Sequence, residues 1–271
     1  MGTVLIETLK ESIHRRIALA LIVVAILFFV AQVGFTHFSH DAKGELVVTH
    51  MDSREPMPAK TFVTAEVIPT SLQMLSNLWV LLTLLATCTL LTSYMDKGWV
   101  ELLLTKGTPR WKIFAGRYLG AMALFVITAL IMNVLSVVYF AMRAGVPVGP
   151  YFVSLSFILV SFVSALSLML LVSTSQANPG LLVLVVFLET ILSSTLSLGN
   201  QQLFRGVPWK WMVWLLQWAY RIVPKHSELM HMATGYVQTQ TVANWFALWS
   251  SVVFIFVATA WAFWRFERKA F

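Results

Sequence analysis

The segment IALALIVVAILFFVAQVGF, Ile17–Phe35, contains no charged residue and is long enough to cross the hydrocarbon core of a bilayer as one α-helix. It is longer than the apolar core of a typical signal peptide and lacks a clean small-x-small cleavage site. We therefore expect this segment to remain in the protein as a membrane anchor.

Five further segments have the same character. The composition agrees, because 58% of the residues are hydrophobic and only 11% are charged, whereas a soluble domain has about 25% charged residues. The sequence therefore predicts an all-α polytopic membrane protein with six transmembrane helices in one domain, residues 1–271. The five further segments are Thr70–Tyr94, Ile113–Met142, Tyr151–Thr174, Gly180–Leu198 and Thr241–Trp264.

The distribution of positive charge predicts the topology. An even number of spans places both termini on one side of the membrane. Eleven of the 19 Lys and Arg residues lie on that side, at the termini and in the stretch 97–117, and the other eight are spread over longer segments. Cytoplasmic flanks carry the excess of Lys and Arg. We therefore expect cytoplasmic termini, a cytoplasmic loop 95–112, and extracytoplasmic segments at 36–69 and 199–240.

Two segments outside the spans have helical patterns. In residues 1–16, Leu5, Leu9 and Ile13 recur at helical spacing, which predicts an interfacial helix along the cytoplasmic surface. The alternative is a charged flank with accidental periodicity. Residues 208–221, PWKWMVWLLQWAYR, are rich in Trp but too short to span, which predicts a re-entrant or surface helix before the last span. The alternative there is a plain aromatic belt.

The sequence lacks the motifs of common enzymes. It has no G-x-x-x-x-G-K-[ST], no H-E-x-x-H and no G-x-S-x-G, so we expect neither nucleotide binding nor catalysis in this chain. The net charge of +7 is not clustered on a soluble module, so we expect no nucleic-acid partner. The His and Asp residues of the outer loop fit no ligand spacing, and we interpret them as solvated rather than metal-binding. They are His37, His40, Asp41, His50 and Asp52.

Glu189 is the one acidic residue in the middle of a predicted span. An ionisable group at that depth is costly, which suggests a residue of the translocation path or a proton relay. The alternative is a hydrogen-bonded carboxyl that packs helices together. The sequence leaves both interpretations open.

The loop after the second span, KGWVELLLTKGTPRWKIFAGRYLG, Lys97–Gly120, is amphipathic and basic. Trp99 and Leu103 share one side of a predicted helix, and Glu101 lies on another. Gly107 and Pro109 are expected to end this helix. Such a loop suits either an anionic lipid surface or a groove on a soluble partner.

This segment resembles the cytoplasmic loop of type 2 ABC exporter permeases. The resemblance rests on Gly98, the run Glu101–Lys106, Arg110 and the run Gly116–Gly120, and it extends to PKHSEL, Pro224–Leu229. Two features depart from the family pattern. Only one acidic residue, Asp96, precedes the glycine, and Gly107 stands where proline is common.

The resemblance implies a permease subunit of an exporter in the bacterial inner membrane. Its loop would act as a coupling helix in a cleft of a separate ATPase subunit, and the expected partners are two such ATPases, which bind ATP and Mg²⁺, and a second permease copy or homologous permease. An accessory subunit could bind the outer loop, and no cofactor is expected in this chain. The expected coupling residues are Trp99, Glu101, Leu103, Lys106, Arg110 and Trp111.

Within that interface, Trp99, Leu103 and Trp111 are expected to supply apolar contact, while Glu101, Lys106 and Arg110 set the register through charge pairs. The alternative function is a standalone protein. It would be either a secondary transporter that uses Glu189 or an intramembrane lipid-modifying enzyme that uses the outer-loop histidines.

Overall fold

The computed structural model describes residues 2–14, 16–41, 45–50, 57–93, 97–105, 107–176, 178–201 and 209–269. Within these ranges six helices are long and apolar enough to cross a membrane, which confirms the predicted all-α polytopic fold. They are α2 (Ile17–Gly34), α3 (Ala59–Ser93), α5 (Arg110–Ala144), α6 (Gly149–Ser173), α7 (Pro179–Gln201) and α10 (Trp245–Arg268). The shorter helices are α1 (Gly2–His14), α4 (Lys97–Thr105), α8 (Lys210–Ile222) and α9 (His226–Thr239).

Helix α6 is the centre of the bundle and packs against α3, α7, α9 and α10. Its buried surface combines large apolar side chains with small hydroxyls, which let neighbouring helices approach closely. The hydroxyls of Ser164 and Ser173 donate to carbonyls of their own helix, at 2.8 Å each, and so add no unpaired polar group to the core.

The predicted loop 36–69 is not a loop throughout. Strands β1 (Thr36–His40), β2 (Leu46–His50) and β3 (Met57–Pro58) form an antiparallel sheet in the order β1-β2-β3. Helix α3 then begins at Ala59, well before the predicted Thr70. Its first turns are amphipathic, and the charged Lys60 and Glu66 lower the hydropathy there although the opposite face is buried. The hydropathy pattern therefore underestimated the length of α3.

Two spans contain π-helical turns. They lie at Val63–Val67 and Leu75–Trp79 in α3 and at Val134–Val138 in α5. A π-helical turn inserts an extra residue, and it often marks a functional position. The one at Leu75–Trp79 ends on Trp79, whose indole Nε1 donates to Thr128 Oγ1 of α5 at 3.2 Å.

The aromatic segment before the last span contains two helices where one was predicted. Helix α8 carries a stripe of exposed apolar side chains, including Trp211, Trp214 and Trp218. Helix α9 packs against α6 and α7. The sequence missed α9 because its many polar residues give no apolar run. Residues 202–208 of the predicted segment lie outside the described ranges.

The N-terminal helix α1 packs against α5, and the buried face differs from the predicted one. Val4, Thr8 and Ser12 are buried, whereas Ile13 of the predicted apolar stripe is 52% exposed. The reason is the G-x-x-x-G pair of α5. A Cβ added at Gly116 would lie 2.6 Å from Val4 Cβ, so only glycine permits this approach.

We expect Gly116→Ala to destabilise the protein by about 1–3 kcal/mol, because the new methyl group overpacks the α1–α5 contact. Gly235→Ala in α9 is the matched control. A Cβ there meets nothing within 4 Å, so the change is expected to be neutral or to stabilise by about 1 kcal/mol. Thermal unfolding in detergent measures both, and equal behaviour of the two variants would contradict the close packing.

Candidate coupling surface and intramembrane cavity

The helix α4 ends in a turn that requires glycine. Gly107 N–H donates to Leu104 O at 2.9 Å and Thr108 N–H donates to Leu103 O at 3.1 Å. This pair of bonds is the Schellman ending of a helix, and it places Gly107 at a φ of +74°, in the left-handed region. Pro109 follows, and α5 begins at Arg110. The turn thus fixes α4 closely against the start of the third span.

One face of α4 is buried in the protein's own core. Val100 is fully buried and Leu103 is only 7% exposed. Glu101 and Thr105 are exposed, and Trp111 at the start of α5 is 48% exposed. The outer surface formed by Glu101, Thr105 and Trp111 is called the α4 ledge below.

Leu103, which the sequence predicted as an apolar contact to the ATPase, is thus packed within the chain itself, and its role in coupling stays a prediction. Helical periodicity identified the apolar stripe of α4 but not what covers it, and in this structure the rest of the chain does. The side chain of Trp99 and all of Lys106 lie outside the described residues.

Arg110 is also engaged within the chain. Its Nη1 donates to Glu267 O at 2.5 Å and to Lys269 O at 3.0 Å, at the carboxyl end of α10. A cation there satisfies carbonyls that the helix leaves without partners. Lys269 Nζ in turn donates to Thr174 O, just beyond α6, at 3.3 Å. Arg110 therefore connects the α4 turn to the last span, which the sequence did not predict.

A single carboxylate connects the helices on both sides of α4. Glu11 of α1 forms an ion pair with Arg117 of α5, whose side chain is only 2% exposed. Ser93 Oγ, on the last residue of α3, donates to the other oxygen, Glu11 Oε1, at 2.9 Å. The ends of the second and third spans are thus held by one side chain. Arg117 lies within a predicted span, where it needs a counter-charge, so its position could have indicated such a pair.

A cavity of about 490 Å³ lies between α3, α7 and α9. Gln73, Asn77 and Ser194 contribute polar groups, and Leu84 and Phe187 contribute apolar ones. Its size lies in the range typical of small-molecule sites.

Glu189 is not among the described residues that line this cavity. Its side chain is 6% exposed, and neither carboxylate oxygen has a hydrogen-bond partner within the described ranges. Ser193, one turn further along α7, is buried as well. The role of Glu189 stays a prediction in both its forms.

The motif Pro224–Leu229 joins the cavity wall to three spans. It begins α9, which forms one side of the cavity. Its contacts are Lys225 N–H to Ser251 Oγ of α10 at 3.2 Å, His226 Nδ1 with Ser161 Oγ of α6, and Ser227 N–H to Ser193 Oγ of α7 at 3.3 Å.

The same motif connects α8 to α9. Lys225 Nζ donates to Tyr220 O and Val223 O at the end of α8. Burial lowers the pKa of Lys225 to about 8, although the charge of Glu228 acts in the opposite direction. Glu228 accepts from Tyr220 Oη at 2.5 Å and from Asn244 Nδ2 at 2.6 Å. These bonds fix the corner before α10.

The outer-loop residues do not form a metal centre in the part of the chain that the structure describes, where no cluster of three His, Cys, Asp or Glu residues occurs. His37 and His40 lie on β1, and Asp52 is outside the described ranges.

The family model described as ABC-2 family transporter protein matches residues 3–271, which is nearly the whole chain. No curated protein and no solved structure matches the chain significantly.

We expect Glu11→Gln to destabilise the protein by about 3–5 kcal/mol, because it removes the negative charge that Glu11 places against the buried guanidinium of Arg117. Combining Glu11→Gln with Arg117→Met should recover most of the loss. Glu7→Gln, on the exposed face of α1, is the control and should change little. Thermal unfolding in detergent measures all three, and a double variant no better than the single one would argue against a specific ion pair.

Proposed function

Because the chain belongs to the ABC-2 transporter family and is thereby the membrane permease component of an ABC transporter, we propose that it is an exporter driven through α4. Two separate ATPase subunits bind ATP and Mg²⁺ and hold the α4 ledge, and a second permease copy or homologous permease completes the transporter. The protein lies in the bacterial inner membrane with both termini in the cytoplasm.

The observation that carries this proposal is the way α4 is fastened. The ledge itself is exposed, but the segments before and after α4 are both bonded to other helices of the bundle. Glu11 connects the flanking spans through Ser93 and Arg117, and Arg110 connects the turn to α10. A displacement of α4 by an ATPase would therefore move α1, α3, α5 and α10 together, as a rigid-body mechanism requires.

The predicted interface residues then have different roles. Glu101 and Trp111 remain as direct contacts to the ATPase, since both are exposed, and an exposed Trp is a common anchor of interfaces. Trp99 and Lys106 keep their predicted place in the interface. Leu103 supports the ledge from inside, and Arg110 transmits its movement.

The second permease copy would meet an apolar surface. Helix α7 exposes Leu184, Phe187, Leu188 and Ile191, each about half accessible. In a membrane such a surface faces lipid or another helix. The sheet β1–β3 on the other side of the bundle from α4 is the site we propose for an accessory subunit.

The alternative of a proton-coupled secondary transporter has less support. Glu189 is not among the described residues that line the cavity, so the cavity gives no support for a proton relay beside a bound substrate. The alternative of a lipid-modifying enzyme needs a cluster of catalytic groups, and His37 and His40 are separated from the cavity, on the sheet.

The proposal is tested by reversing the charge of the ledge. In proteoliposomes with the P-loop ATPase that co-purifies with the chain, Glu101→Lys is expected to lower transport about tenfold through a lost charge pair while thermal stability is unchanged. Arg110→Glu should lower both transport and stability, because it also breaks the bonds to α10. Glu45→Lys, an exposed position near the sheet, is the control. Full transport by the Glu101→Lys variant would exclude the coupling role of the ledge.

The orientation is tested by labelling. The chain has one cysteine, Cys88, which is 2% exposed. Labelling of the protein therefore comes from a cysteine introduced at an exposed site. Thr105→Cys should react with an impermeant maleimide only in inside-out vesicles, whereas Glu45→Cys should react in intact cells. Reaction of the Thr105→Cys variant in intact cells would show that the proposed orientation is reversed.

A further inference from the structure

The cavity between α3, α7 and α9 has a polar end and an apolar end. Along α3, Gln73 and Asn77 lie nearer the sheet, and Leu81 and Leu84 lie nearer α4. At 1.5 Å per helical residue, Gln73 and Leu84 are separated by about 17 Å along the helix, which is enough for a headgroup and a hydrocarbon chain.

Helix α7 runs in the opposite direction and has the matching gradient. Its Thr190 and Ser194 line the end nearer the sheet, and Val186 and Phe187 line the end nearer α4. Both helices thus place hydrogen-bonding side chains at the end of the cavity nearer the sheet and apolar side chains at the end nearer α4.

The apolar end continues into a smaller cavity of about 150 Å³. The two cavities share part of their walls, and the described residues that line the smaller cavity are all apolar or cysteine. The lining residues are Leu81, Leu84, Leu85, Cys88, Val183, Val186 and Phe187. A flexible chain that leaves the larger cavity would therefore remain in apolar surroundings.

The polar end is rich in hydrogen-bonding groups, among them the imidazoles of His226 and His231. No Asp, Glu, Lys or Arg is among the described residues that line it. His226 is one of the lining residues, and burial lowers its pKa to about 4, so its imidazole is neutral at physiological pH. An ionic ligand would lose its hydration there without a counter-charge from an Asp, Glu, Lys or Arg side chain.

The hydrogen-bonding groups are available to a ligand. The side-chain amides of Gln73 and Asn77 are exposed and have no hydrogen-bond partner in the described part of the chain. The hydroxyls of Thr190 and Ser194 donate to carbonyls of their own helix, at 2.9 Å each, so their oxygens remain as acceptors. The wall thus offers both donors and acceptors.

A separate feature of the backbone marks the same place. The π-helical turn Leu75–Trp79 contains Asn77 and Ser76, which both line the polar end. Such turns frequently occur at functional sites.

From these observations we infer that the cavity binds an uncharged amphiphile, with its hydrogen-bonding headgroup against Gln73, Asn77 and Ser194 and its hydrocarbon chain against Leu84 and Phe187. The inference rests on the proposed transport function and names the chemical class of its substrate.

The test uses the full chain in phosphatidylcholine nanodiscs and tritiated dodecyl glucoside below its critical micelle concentration as the probe. Saturable binding is expected. Unlabelled dodecyl glucoside should compete about tenfold better than dodecyl sulfate or dodecyl trimethylammonium, which have the same chain and a charged headgroup. Absence of saturable binding, or preference for an ionic headgroup, would overturn the inference.

Two substitutions test the position of the headgroup. Asn77→Asp is nearly isosteric and places a carboxylate at the polar end, so dodecyl trimethylammonium should become about tenfold the better competitor. Ser194→Asp on α7 should do the same and covers the case in which the first variant does not fold. Gln217→Glu on the exposed face of α8 is the matched control and should leave the order of competitors unchanged.

The outcomes separate this inference from the proposed function. Unchanged preference in both carboxylate variants overturns the inference, even where Glu101 remains necessary for transport. If the chain binds the glucoside and its Glu101→Lys variant transports normally, the inference about the cavity is supported. The coupling role of the α4 ledge is then excluded.

Discussion

The ion pair between Glu11 and Arg117 is the constraint on which much of the structure depends. Arg117 lies in a membrane-spanning helix and is almost fully buried, where an uncompensated charge is costly. The counter-charge comes from α1, which is outside the six spans. Helix α1 must therefore stay docked on α5, and the glycines at 116 and 120 of α5 allow it to come close enough. A charge in the bundle thus dictates the packing of a peripheral helix.

The same constraint makes α4 a mechanical element. A short helix between two spans would ordinarily move with local freedom, but Ser93 and Arg117 share one carboxylate and Arg110 holds the end of α10. The apolar face of α4 is packed against the protein's own core, whereas Glu101, Thr105 and Trp111 are exposed. Buried residues thus hold the helix in place, and the exposed ones form its outer surface.

Hydropathy was sufficient to predict six spans, because crossing a bilayer imposes a length and an apolar composition on each of them. It missed the start of α3, where Lys60 and Glu66 are exposed on an otherwise packed helix, and it missed the polar helix α9. Periodicity identified the stripe that contains Leu103 but placed it on the outer surface, since a stripe does not reveal its partner. The pairing of Glu11 with Arg117 joins residues distant in sequence, and only the three-dimensional fold brings them together. The family match supports the permease role that the motif at 97–120 suggested.

The small sheet is joined to the bundle by very short connections. A single residue separates the end of α2 from strand β1, and β3 leads directly into α3 at Ala59. A tilt of α3 imposed from α4 would therefore reorient the sheet at the opposite end of that helix. Linkage between two such sites is reciprocal. A molecule that holds the sheet in one orientation would bias the conformation at α4 by the same free energy, so binding at this face would also control the bundle.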